Sequence, residues 1–197
     1  MPRHYTSRIK FELSTESAAA IASIFGFMNL FARGLGGFMS DKGNAYMGMR
    51  GRLWAQTVCL LIEGVLVLVF AQTNSLGAAI AVMIFFSLFV QAAEGTSYGI
   101  VPYVDPPATG SISGIVGAGG NTGAVCFGLG FRNLEYKTAF MLMGFTILGL
   151  SLLSLIIFIK GHAGLICGED AIKDEPSPTI LAVPIKDLEH TDELNAE

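Results

Sequence analysis

One arginine, one asparagine and one glycine-dense stretch supply the chemistry this chain has to offer. Arg33 lies inside an apolar run at 17–39. Stepping along its face at helical spacing gives Ala22, Gly26, Asn29, Arg33, Gly36 and Ser40, while Ile21, Ile24, Phe27, Phe31, Leu35 and Phe38 fall elsewhere. A guanidinium stays charged and offers forked donors that match a planar oxyanion; an ammonium matches it less well and can lose its proton. The small, polar stripe would let another helix approach closely, so it should face the interior of a bundle. Snorkelling is the competing account, because Arg33 is six residues from the end of the run, ~9 Å of helix. Sharing a face with Asn29 and the glycines favours the cavity position.

The second unusual stretch is 109–131, TGSISGIVGAGGNTGAVCFGLGF, with eight glycines in 23 residues. In water so many glycines would make a poor helix, at roughly 1 kcal/mol each relative to alanine. One face reads Gly110, Gly114, Gly117, Asn121, Ala124 and Gly128: a seam of small residues interrupted by a single amide. Close helix packing accounts for most of these glycines, with Asn121 as an interhelical hydrogen bond. Glycine also lets backbone meet a small ligand directly, and the Asn121 amide would then donate to that ligand. Both readings stay open. Two carboxyls, Glu63 and Glu94, sit inside other apolar runs, Glu94 sharing its face with Gln91 and Tyr98. Each is either a site of proton coupling or a paired structural acid.

These residues need elements that hold them in lipid. The chain has 197 residues, 52 % hydrophobic and 14 % charged, with a mean hydropathy of +0.57; ordinary soluble domains are about 25 % charged. Five runs, at 17–39, 53–71, 76–101, 109–131 and 138–159, are long enough to span a hydrocarbon core of ~30 Å. Five consecutive runs of this kind argue against a buried soluble bundle. The fold class expected is all-α, a multi-pass transmembrane bundle over 17–160, preceded by a non-membrane segment at 1–16. The connector at 40–52 is Gly-rich and basic, and Pro102, Pro106 and Pro107 should end the third helix and delay the fourth. From 161 the chain turns acidic and proline-bearing and reads as a disordered tail; nine of the 16 acidic residues lie beyond 160, so the net charge of −4 says little about a ligand. Cys59, Cys126 and Cys167 have no ligand-pair spacing, so neither a metal nor another cofactor is expected. The positive-inside tally does not decide the orientation.

Three passages resemble the nitrate/nitrite porter family of the major facilitator superfamily. Gly37-Phe-Met-Ser-Asp41-Lys42, following Phe31-Ala-Arg33-Gly34, is similar to the superfamily's loop motif joined to the porters' eighth helix. Met49-Arg50-Gly51-Arg52-Leu53-Trp54 opens the second run, and Gly117-Ala-Gly-Gly-Asn-Thr-Gly-Ala124 is similar to the nitrate signature of the eleventh helix. The stretch from Glu94 to Tyr103 is also similar. The resemblance implies helices eight to twelve of a twelve-helix, alternating-access transporter of nitrate or nitrite, not an enzyme, in the plasma membrane. It implies that Arg33 is one of two arginines clamping the anion and that Gly117, Gly119, Gly120 and Asn121 line the substrate region beside Asn29. It places Asp41, Arg50 and Arg52 in a cytoplasmic gating loop and the acidic tail in the cytoplasm. The basic residues after Asp41 are more spread out than in the motif. The first half of such a fold is absent, so the chain reads as an incomplete C-terminal part that does not transport alone. Expected partners are nitrate or nitrite, the lipid bilayer, the missing N-terminal half and the small accessory membrane protein that some members need, but not nucleic acid. Two alternatives stand beside this: a facilitator of another small solute, and a small oligomeric membrane protein that transports nothing.

Overall fold

A computed structural model describes residues 15–166 and residue 168. It is built from five long helices, α1 Thr15–Met47, α2 Met49–Gln72, α3 Leu76–Val104, α4 Thr109–Asn133 and α5 Tyr136–Leu153, with no strand among the described residues. Four of them, α2 to α5, are long and apolar enough to cross a membrane. The burial pattern is inverted relative to a soluble protein. The enclosed faces carry Ser40, Arg52, Gln56, Thr57, Glu63 and Thr96, while Phe27, Phe31, Phe38, Ile115 and Phe145 are exposed. Such an apolar exterior is stable against lipid and would be a large aggregation surface in water. The chain is a helical multi-pass membrane bundle.

The junction between α1 and α2 differs most from the expected organisation. Residues 40–52 read as a loop, yet α1 runs on to Met47 and α2 starts at Met49, leaving Gly48 alone between them. Gly48 adopts φ 63°, ψ −150°, a conformation that essentially only glycine tolerates. Its N–H donates to the Asn44 carbonyl at 2.8 Å, and its own carbonyl accepts from Gly51 N–H at 2.9 Å. Gly43 and Gly51 meet backbone to backbone across this reversal, and a Cβ on either would fall on the other's main chain. The glycines that suggest a loop are thus what lets two helices fold back within one residue. Replacing Gly48 by alanine should destabilise the fold by about 1–3 kcal/mol, read as a lower thermal unfolding midpoint in detergent; an unchanged midpoint would contradict this strained turn.

Helices α1, α2 and α3 pack together, α5 lies against α2, and α4 sits at the edge against α3 and α5. The contact of α1 with α3 is close: a Cβ at Gly36 would meet the Ala92 carbonyl, and one at Gly95 would meet the Arg33 carbonyl. Pro102 does not end α3 at once but sits in its last turn, where its missing N–H removes one helical hydrogen bond, and the helix stops two residues later at Val104. A 3-10 turn, Pro106–Ala108, then leads into α4. At the far end of the bundle, aromatic rings join α2, α4 and α5, with Phe70–Phe140 centroids 4.9 Å apart and Phe131–Phe140 4.7 Å apart.

The last expected helix, 138–159, is shorter than expected: α5 ends at Leu153, and a 3-10 turn follows at Ser154–Ile156. The chain beyond it packs back onto the bundle. Ile159, Ala163 and Leu165 are buried, with Ile159 and Leu165 against Met49, Leu53 and Ile100. Within 161–166, expected to begin a disordered tail, two apolar side chains, Ala163 and Leu165, are buried, Leu165 in the cluster at the α2–α3 end. The expected segment at 1–16 falls, but for residues 15 and 16, outside the described residues, as does the tail at 169–197.

Candidate functional site

Arg33 lies on α1 beside a groove that opens next to the close contact of α1 with α3. The groove, about 650 Å³, is lined by Gly26, Asn29, Arg33 and Gly34 of α1 and by Gly95 and Tyr98 of α3. The small side chains on both helices create the space, and the polar groups left in it come from three residues. The Arg33 guanidinium lies over the Tyr98 ring at 5.5 Å from its centroid, so a flat cation rests on a flat π face. Its Nη2 forms an ion pair with Oε1 of Glu94, one turn before Tyr98 on the same helix. Both charged side chains are little more than half covered, at 44 % and 42 % exposure, and Arg33 is the one that lines the groove.

The structure therefore brings Arg33 and Asn29 to one groove, as their common face suggested. The other members of that stripe divide: Gly36 and Ser40 are buried, both against α3, and Ala32 beside them is also buried. Glu94 is a paired acid, with Arg33 as its partner. Tyr98 is the residue that sequence reasoning left in the background. The signal was available, because Glu94 and Tyr98 are four apart and present one face of a helix.

The glycine-dense helix, α4, lies at the edge of the bundle. Gly117 alone comes near the groove; a Cβ there would lie 3.5 Å from the Tyr98 hydroxyl. Asn121 is exposed one turn further along, Gly119 and Gly120 face open space, and none of the three lines the groove. No residue of α4 is buried, so this helix offers its small face outward within the described chain. Glu63 is buried on α2, one turn after the fully buried Cys59, and it does not line the groove either.

Of the residues expected in a gating loop, Arg52 and Asp41 meet at the α1–α2 reversal. Arg52 is buried; its Nη1 donates to Ser40 Oγ at 3.1 Å and pairs with Asp41 Oδ1 at 2.8 Å. Its Nη2 donates to the Tyr103 hydroxyl at 3.1 Å, and the guanidinium also sits 4.9 Å from that ring's centroid. One cation thus ties the end of α1 and the end of α3 to the start of α2, which a loosely tethered loop would not do. Arg50 points to the other side, its Nη2 donating to the Gly168 carbonyl at 2.8 Å and its Nε to the Gly164 carbonyl at 3.4 Å. The His162 ring lies edge-on to Tyr103 at 5.6 Å. Among the described residues no group of His, Cys, Asp and Glu could hold a metal ion.

Neither a family model nor a solved structure matches the chain. Curated proteins do. It is 41 % identical over 167 residues to "High affinity nitrate transporter 2.5" of Arabidopsis thaliana, a stretch covering 83 % of this chain and 33 % of that protein. It is 38 % identical over 168 residues to "Nitrate transporter 2.1" of Chlamydomonas reinhardtii, covering 81 % of this chain and 31 % of the relative. With "Nitrate/nitrite transporter NrtP" of Picosynechococcus it shares 42 % identity over 120 residues, 59 % of this chain and 21 % of the relative. The chain spans about a third of the length of the first of these curated relatives. A membrane bundle with an arginine groove is thus similar, over most of its length, to one part of proteins named as nitrate transporters.

Proposed function

We propose that the chain is one part of an alternating-access transporter of nitrate, nitrite or both, of the major facilitator type, in the plasma membrane. The observation that supports this best is the Arg33 guanidinium in a glycine-walled groove, stacked on Tyr98 with Asn29 beside it. A planar oxyanion docks there by accepting two parallel N–H donors, and the relatives' names supply the anion's identity. On this reading the groove is half of a site: transport sites of this kind lie at the midplane between two helical halves, and an N-terminal half supplies the other wall and a second cation. The small residues of α4, with Gly117, Gly119, Gly120 and Asn121, then face that half. Arg52, Asp41 and Arg50 form the gate at the cytoplasmic end. Glu63 is the carboxyl at which a proton is coupled, while Glu94 is held in its pair with Arg33, and a small accessory membrane protein is a further partner.

The experiment is uptake of labelled nitrate into vesicles carrying either the full-length polypeptide or these 197 residues alone. Saturable uptake, competed by nitrite and not by a sugar, is expected for the first, and none for the second. Uptake by the 197 residues alone would remove the half-site reading; competition by sugar rather than nitrite would remove the anion.

A further inference from the structure

The pair formed by Arg33 and Glu94 does something that an anion site alone does not require. Glu94 is the one charged residue of α3, and Arg33 is the one charged residue between Glu16 and Asp41 on α1. The cations towards the α1–α2 reversal have contacts of their own: Lys42 of α1 lies over the Phe38 ring at 5.6 Å, and Arg52 of α2 pairs with Asp41. Arg33 therefore already holds an anion, a carboxylate whose oxygens accept from the same fork of donors as a small planar oxyanion. Both side chains of the pair are partly exposed, and Arg33 lines the groove.

We propose that Glu94 is a tethered counter-anion, which occupies Arg33 when the site is empty and is displaced by the transported oxyanion. This rests on Arg33 being the anion site. Two consequences follow from the geometry. Each binding event breaks the internal pair, so affinity is lower than Arg33 alone would give. The empty site carries no uncompensated charge, and an unpaired guanidinium within the membrane is costly. The empty transporter can then turn from one side to the other. Net uptake needs that return step, whereas one-for-one exchange does not. Glu94 is in this sense a positioning residue for the unloaded state, acting through Arg33.

The test uses the full-length polypeptide with nitrate as probe. Glu94→Gln should bind nitrate about tenfold more tightly, the size of a typical coupling between neighbouring sites. Net uptake should fall by at least about tenfold, the equivalent of one such coupling, and by clearly more than nitrate–nitrate exchange does. Glu94→Asp keeps the charge and loses reach, so it should retain net uptake and show a smaller rise in affinity. It also decides the matter if the glutamine variant fails to fold. Unchanged affinity in both variants, or equal loss of exchange and net uptake, overturns the proposal. A parent protein that binds no nitrate removes the anion-site reading instead, so the two failures are distinguishable.

Discussion

Replacing Arg33 by lysine is expected to raise the nitrate concentration for half-maximal uptake by about thirty- to a hundredfold. Lysine keeps the charge, so the loss isolates geometry. The ammonium cannot present two parallel donors to a planar anion, and it cannot lie flat on the Tyr98 ring, now 5.5 Å from the guanidinium carbon. A charge-assisted hydrogen bond contributes about 1.5–3 kcal/mol, and each 1.4 kcal/mol is a factor of ten in affinity. Losing one of two such bonds, with the other weakened, gives the range stated. The Arg33–Glu94 pair moderates the loss, because lysine also binds the carboxylate less well and so frees the site more readily. The measurement is concentration-dependent uptake in vesicles with the variant's abundance matched by immunoblot. An unchanged half-saturation would take Arg33 out of the site, leaving a guanidinium that only serves Glu94.

The groove was legible because its arginine is isolated. One cation in an apolar run, sharing a helical face with Asn29 and glycines, had few places to go, and the structure puts it in a groove. That Glu94 would be its partner was only half legible. The acid's place inside an apolar run could be read, but the choice between pairing and proton traffic depends on the register of α1 against α3. That register is set by Gly36 on Ala92 and Gly95 on Arg33, contacts that no single-helix pattern contains. The reversal at Gly48 was illegible for a related reason. Glycine-rich, charged stretches read as loops, because the features that favour a loop also permit backbone-to-backbone helix contact. Arg52 makes the same point from the other side: its burial under Ser40, Asp41 and Tyr103 needs three helix ends to converge. The outward placement of Asn121 reflects what lies around it. A glycine face has no intrinsic inside, and its orientation depends on what packs against it.

The largest effect on folding should come from Gly95, where α1 and α3 approach most closely. A Cβ at this position would fall on the Arg33 carbonyl and lie 3.1 Å from the Gly37 nitrogen. Both are main-chain atoms of one helix, so no rotamer change relieves the clash and α1 as a whole must move away from α3. Moving it loosens Gly36 on Ala92 and Ser40 beside Gly99, along with the groove between Arg33 and Tyr98. Overpacking costs about 1–3 kcal/mol and sometimes more, against a helix-propensity gain of roughly 1 kcal/mol for alanine over glycine. Gly149 on α5 is the control, because a Cβ there meets nothing within 4 Å. Gly95→Ala should therefore lower the unfolding midpoint in detergent, and Gly95→Val should lower it further and abolish nitrate binding. Gly149→Ala should leave the midpoint unchanged or raise it. If Gly95→Ala melts with the parent, α1 and α3 do not touch through their backbones, and the groove that holds Arg33 has no fixed wall.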